Sequence, residues 1–172
     1  MRIPCILTRM SDLLPITKAA LDRAGIVYQE MACNPDLADT AAFCEHYGFT
    51  LSESANAIIV AGKADPTKYA CCVVLATTKL DVNKAVCKQL GVKRASFANG
   101  EQSDELTGME RGGVTPFGLP SGVPVYVDAA VMEQTRVVMG GGNRASKVVL
   151  DPKELTKLPT AVVVAGLAKS KD

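Results

Sequence analysis

Apolar and polar positions along this chain recur with two different periods, and each change of period marks an element. Leu14, Leu21 and Ala24, with alanines between them, share one helical face, and Gly25 follows where a helix would stop. Ile26, Tyr28 and Met31 then suggest a strand before the polar turn Asn34-Pro35. Over residues 36–47 the spacing of Leu37, Ala41 and Cys44, with Gly48 beyond, predicts a second helix, capped by Asp36 or a residue upstream. Two apolar runs, 57–61 and 69–76, flank residues 62–67, whose composition suits a hairpin loop. Asp81 then stands where it can accept N–H bonds at a helix start; Val82, Ala85, Val86 and Leu90 fall on one face, and Gly91 ends the helix. A shorter helix over 101–106 delivers the chain to Gly108.

Further on, residues 123–127 and 136–139 read as strands from their β-branched content, with Asp128 placed to cap a helical turn through Met132. Residues 146–150 form another strand. Asp151, Pro152 and Glu154 supply cap, first-turn proline and early acid for a brief helix ending near Leu158, and 161–165 is a last short strand or a packed tail. Strands mixed with short helices, some joined by tight hairpins, predict an α+β fold. The expectation is a single compact domain over residues 1–172, with a mixed, mostly antiparallel sheet flanked by short helices rather than a doubly wound parallel one. No internal repeat or low-complexity linker marks a boundary.

The pattern breaks at residues 107–118, Thr-Gly-Met-Glu-Arg-Gly-Gly-Val-Thr-Pro-Phe-Gly, where four glycines and a proline suit neither a regular helix nor a central strand. Glycine allows close approach of backbone N–H groups to a ligand, and consecutive N–H groups in such a turn form an anion- or oxyanion-binding concavity. This is where a substrate would sit, and a plain surface turn between a helix and a strand is the alternative that Gly/Pro clusters more often mark. The wording of the loop, Thr107-Gly108 and then Gly112-Gly113-Val114-Thr115-Pro116-Phe117-Gly118, resembles the signature loop of the YbaK/prolyl-tRNA synthetase-associated family. The strand Val125-Tyr126-Val127-Asp128 and the strand and turn Val137-Val138-Met139-Gly140-Gly141-Gly142 resemble the elements that follow in that family. The likeness covers about residues 17–158. It implies a compact α/β domain that hydrolyses mischarged aminoacyl-tRNAs.

Composition narrows the partners. The 172 residues are 48% hydrophobic and 22% charged, as in a globular protein, and the formal net charge is +1. Near neutrality argues against DNA and any broad nucleic-acid surface, so contact with a tRNA acceptor end should be local. Six cysteines, none in a Cys-x-x-Cys pair, and one histidine, His46, offer no metal site, and no cofactor is expected. The apolar run 3–7 is too short for a signal-peptide core and nothing approaches a membrane span, which suggests a cytoplasmic protein with reduced thiols. Oligomeric state does not follow from the sequence.

Three constellations compete for chemistry. Gly140 to Ala145 matches G-x-G-x-x-A after a strand, but residues 146–150 are strand-like and no acid follows about twenty residues on, so dinucleotide binding is disfavoured. A Cys–His pair would need His46, which falls in a helix's last turn, and free cysteines usually pack; adjacent Cys71 and Cys72 must face opposite sides of their strand. The third, the glycine loop, carries the reading that the family resemblance implies, a trans-editing deacylase acting on a small mischarged amino acid. In it the N–H groups of Gly112 and Gly113 hold the carbonyl oxygen while water attacks. Thr115 and Pro116 complete the substrate loop, Asp128 and the turn Gly140, Gly141 and Gly142 shape the amino-acid pocket, and Asn56 contacts the terminal nucleotide. Lys63, Lys68, Arg144 and Lys147 are the candidate contacts for tRNA phosphates.

Members of the resembled family carry a lysine where this chain has Asn56. Asparagine has no charge with which to attract a phosphate or polarise an ester. Either Asn56 does a milder version of the job, or a lysine is supplied from elsewhere, or activity is lost. The alternative function is therefore a catalytically silent module of the same fold that binds a tRNA end, a nucleotide or a protein.

Overall fold

The computed structural model describes residues 12–171, so the apolar run 3–7 and Cys5 lie outside the described residues. Helix α1 (Pro15–Ala24) starts at a proline, as a first-turn position allows, and ends at Gly25 in the left-handed conformation. Strand β1 (Gln29–Ala32) begins later than expected. Ile26 instead turns inward, its N–H donating to Leu21 C=O at 3.1 Å, and joins the core. The predicted 36–47 helix is split. Pro35–Leu37 forms a 3-10 turn whose cap is the Asn34 side chain, and α2 (Thr40–Tyr47) starts only after Ala38 and Asp39. That break leaves the Ala38 C=O outside any helical ladder, where it acquires a partner described below.

The predicted hairpin is present as β2 (Ala55–Gly62) and β3 (Lys68–Leu75), paired antiparallel along their whole length. Strands β4 (Thr78–Leu80) and β5 (Ala95–Phe97) lack periodic signal because each is three residues long and owes its pairing to tertiary context. Asp81 does accept from Lys84 N–H at 3.2 Å, but the helix it starts opens as a π-turn over Val82–Val86 before α3 (Cys87–Leu90). Helix α4 (Gly100–Thr107) has a reciprocal capping box between Asn99 and Gln102. After the glycine loop come β6 (Val125–Asp128), α5 (Ala129–Met132), β7 (Val137–Gly140) and β8 (Ser146–Leu150). Asp151 caps a 3-10 helix at Pro152–Lys157, and β9 (Ala161–Val164) and β10 (Ala168–Ser170) close the described chain.

The fold is α+β with short helices, as expected, and among the described residues its strands form three sheets. A five-stranded mixed sheet runs β5-β2-β3-β6-β9, with β3–β6 and β6–β9 parallel; a three-stranded antiparallel sheet runs β1-β8-β7; β4 and β10 pair by themselves. Both faces of the larger sheet are covered. Ala55, Ile59, Val73 and Val127 pack against Val137, Met139 and Val148 of the smaller sheet and against Leu21 of α1, whereas Val60, Val74 and Tyr126 pack under Leu80, Val86 and Leu167. Double burial explains the continuous apolar runs of β2 and β3. Cys71 and Cys72 fall in these two opposite cores, and burial pushes the Cys72 thiol up to about 12. The outer face of the smaller sheet is covered by α2 through Phe43, Cys44, Val138 and Val149. No described helix is long and apolar enough to cross a membrane.

Candidate functional site

Strands β2 and β7 meet at a single parallel bridge, Ser54 with Val138, and then part. On that edge β5 begins to cover β2 only at Ile59, whose C=O accepts from Ala98 N–H at 2.9 Å. Alternation along a strand turns the peptide groups of Ala57 to the same uncovered edge. The gap is a cavity of about 300 Å³. One wall is Ala55, Asn56, Ala57 and Ile58; Gly112, Val114 and Gly140 form the second; Ala38, Asp39 and Thr40, at the start of α2, form the third, with Lys147 between. A larger cavity, about 550 Å³, lies beside β4, β5 and β10 and includes no residue of the glycine loop.

The loop and the glycine turn are stapled together by main-chain bonds. Gly142 N–H donates to Gly113 C=O at 2.8 Å, Glu110 N–H to Gly142 C=O at 3.0 Å, and Gly113 N–H to Glu110 C=O at 2.9 Å. Close approach is why glycine stands here. A Cβ at Gly113 would lie 2.3 Å from Asn143 O, and one at Gly140 would lie 2.6 Å from Val114 O. The expectation that Gly113 N–H serves a substrate is thereby corrected, since the turn itself uses that donor. Gly112 differs. It lines the cavity at φ +84°, and among the described residues nothing accepts from its N–H.

Two of the four expected phosphate contacts are tied into the site. Arg144 donates to Pro35 C=O at 2.8 and 3.2 Å and to Asp39 Oδ1 at 3.0 Å, and its own N–H bonds to Glu110 Oε2 at 2.8 Å. It is a clamp holding the α2 start, the glycine loop and the glycine turn together, rather than a free surface cation. Lys147, on β8, is 9% exposed; its Nζ donates to Ala38 C=O at 3.0 Å and lies 5.1 Å from the Phe43 ring centre. Burial pulls its amine below the ordinary lysine range. Lys63 and Lys68 are exposed at the far tip of the hairpin, about 20 Å from Asn56 at a strand rise of roughly 3.3 Å per residue.

Asn56 is half-buried in the cavity wall, its Oδ1 accepting from Thr40 Oγ1 at 3.1 Å. Gly140 reaches the cavity, whereas Gly141 and Gly142 pack behind it, against Leu13, Ser146, Leu14 and Thr17. Thr115 is fully buried, its hydroxyl without a partner among the described residues, and Pro116 lines a separate depression beside α1; neither reaches the cavity. The structure also moves Asp128 out of the pocket. Its carboxyl is buried and accepts from the backbone of Ala168 and Leu167, tying β6 to the β9–β10 turn. Burial raises its pKa above the ordinary aspartate range against the pull of those bonds, so the stability its protonated form contributes is present at low pH and is lost as pH rises through the raised value. Asp128→Asn is expected to flatten that acid limb in thermal melts while changing activity less than about twofold.

Asp39 and Thr40 were missed by sequence reasoning, because nothing in a helix start says which cavity it faces. His46 is exposed at the end of α2, edge-on to Tyr47, and lines no part of the cavity. Among the described residues no group of three histidine, cysteine or acidic side chains could hold a metal ion.

Comparisons with known proteins bear on the family and the fold. The chain is 31% identical over 125 residues to the uncharacterized protein YwhH of Bacillus subtilis (strain 168), covering 73% of this chain and 77% of that one. Its fold is similar to the crystal structure of hypothetical protein APE2540, with a TM-score of 0.80 and 23% identity over 90% of this chain and 99% of that one. It is similar also to a crystal structure described as a candidate trans-editing enzyme for prolyl tRNA synthetase, with a TM-score of 0.76 and 22% identity over 89% and 97%. At these identities the solved structures speak for the fold. The family model for the aminoacyl-tRNA editing domain matches residues 34–158, which span the cavity walls, the glycine loop and the glycine turn, and the chain belongs to that family.

Proposed function

We propose that this protein is a trans-editing deacylase that hydrolyses the ester between a small amino acid and the terminal ribose of a mischarged tRNA. The observation that carries the reading is the cavity itself. It gathers Asn56, Gly112 and Gly140, far apart in sequence, around a space of about 300 Å³ in which Ala38, Ala55 and Ala57 alternate with polar and branched side chains. A space of that size, shared with the ester and the end of the ribose, has room for a short side chain and crowds a long one.

The chemistry requires no protein nucleophile. The ester is already activated, so holding it against water and stabilising the oxyanion can supply much of the rate. Gly112 N–H, which has no partner among the described residues, is the donor assigned to the carbonyl oxygen. Asn56, its oxygen occupied by Thr40, presents its amide nitrogen to the terminal nucleotide. Lys63 and Lys68, remote from the cavity, would meet phosphates of the acceptor stem, and the acceptor end is the partner.

Size selectivity tests the reading. The protein should release alanine, serine or cysteine from tRNA at least about 10-fold faster than leucine or phenylalanine, a discrimination within the range of a steric pocket. Equal rates across the series would contradict it. A second reading, a silent binding module, rests on Asn56. An inert parent made hydrolytic by Asn56→Lys would favour that second reading.

A further inference from the structure

We propose that Lys147 is a catalytic residue of this site, its ammonium contacting the ester carbonyl oxygen and carrying the negative charge that gathers there as water attacks. The inference rests on the deacylase reading above. It begins with a placement that packing explains only in part, since the amine lies over the Phe43 ring at 5.1 Å but has no anionic partner among the described residues. Lys147 lies beside Gly140 in the β7–β8 register, its stem crosses beneath α2, and its Nζ ends in the cavity wall 3.0 Å from Ala38 O. That bond uses one of three N–H donors. No carboxylate among the described residues forms an ion pair with it, and Asp39, the acid that lines the same cavity, is paired with Arg144 at 3.0 Å. A buried ammonium without a counter-ion is costly, and an apolar side chain of similar length would fill the same space at less cost.

The polar groups around the amine indicate what it meets. Thr40 occupies the Asn56 oxygen, so the Asn56 amide contributes donors, as do Gly112 N–H and the Lys147 amine. A donor-rich wall takes an acceptor, either a carbonyl oxygen that becomes anionic or a phosphate. Gly112 shares this small cavity with Lys147, which favours the carbonyl. In the reaction, water oxygen bonds to the carbonyl carbon and the oxyanion faces Lys147 and Gly112 N–H. Collapse breaks the bond to the ribose oxygen, which takes one proton of the attacking water; the other passes to solvent as the carboxyl group ionises.

The test compares the full-length wild type with Lys147→Met and Lys147→Arg on alanyl-tRNA, together with thermal melts. Lys147→Met should lower kcat about 100-fold or more, as loss of an oxyanion contact does, with KM changed less than about threefold and the melting temperature unchanged or raised. Lys147→Arg should retain more activity than Lys147→Met. In the wild type, the non-hydrolysable 3′-alanylamino-3′-deoxyadenosine should shift the NMR signal of the Lys147 amine. A rise in KM at constant kcat would assign the amine to a phosphate and overturn the proposal. So would a loss of activity matched by a loss of stability, the mark of a packing residue. A wild type that hydrolyses while Lys147→Met matches it overturns this inference alone; a wild type that hydrolyses no ester overturns the deacylase reading and this inference with it.

Discussion

Gly112→Val is expected to lower the rate of ester hydrolysis by at least about 100-fold, the scale on which enzymes lose activity when one oxyanion donor is removed. Two features of the position act together. At φ +84° a β-branched residue is strained, so the peptide would rotate and carry its N–H away from the cavity. The new Cβ would also fall on the Arg144 guanidinium, 2.2 Å from Nη1, and push that clamp off Asp39 and Pro35. Gly122→Ala is the control. Gly122 has φ +89° but open space around it, so its substitution should cost about 1 kcal/mol of stability with hydrolysis unchanged. Rates and melting temperatures of the two variants separate backbone strain in general from damage at the site.

The largest effect on stability is expected at Phe117, fully buried where the glycine loop returns to the core. Its ring packs in the cluster that joins α1 and both larger sheets, and the next residue, Gly118, presses on the α1 backbone, where a Cβ would lie 2.9 Å from Ile16 O. Phe117→Ala should therefore destabilise the fold by about 3–5 kcal/mol, with the range set by how far the surroundings collapse into the space. At about 2–4 °C per kcal/mol for a chain of this size, the melting temperature should fall by roughly 10 °C. Urea unfolding that shows a loss below about 1 kcal/mol would mean that the loop is not anchored through this ring.

Much of the fold could be read because the residues announce it locally. Continuous apolar runs gave the β2–β3 hairpin, Asp81 and Asp151 gave helix starts, and the glycine loop stood out by composition. What escaped was decided at a distance. Strands β4, β5 and β10 are too short to carry a period. Asp128 looked like a cap or a pocket acid, but its carboxyl is engaged by Leu167 and Ala168, about forty residues on in the chain. Lys147 looked like a surface cation beside a turn. Its parity with Val149 puts it on the face that α2 covers, and this signal is useful only once α2 is known to lie there. Asn56 raised the question of whether a lysine comes from elsewhere in the chain; Lys147 lines the same cavity.

The most direct measurement is a time course of ester loss from alanyl-tRNA with protein at about one hundredth of the tRNA concentration. Many turnovers per protein molecule, suppressed in Gly112→Val and retained in Gly122→Ala, are the result expected of a deacylase. Ester that decays only at its uncatalysed rate in the presence of well-folded protein, across alanine, serine and cysteine, would contradict the account and leave a binding module in its place.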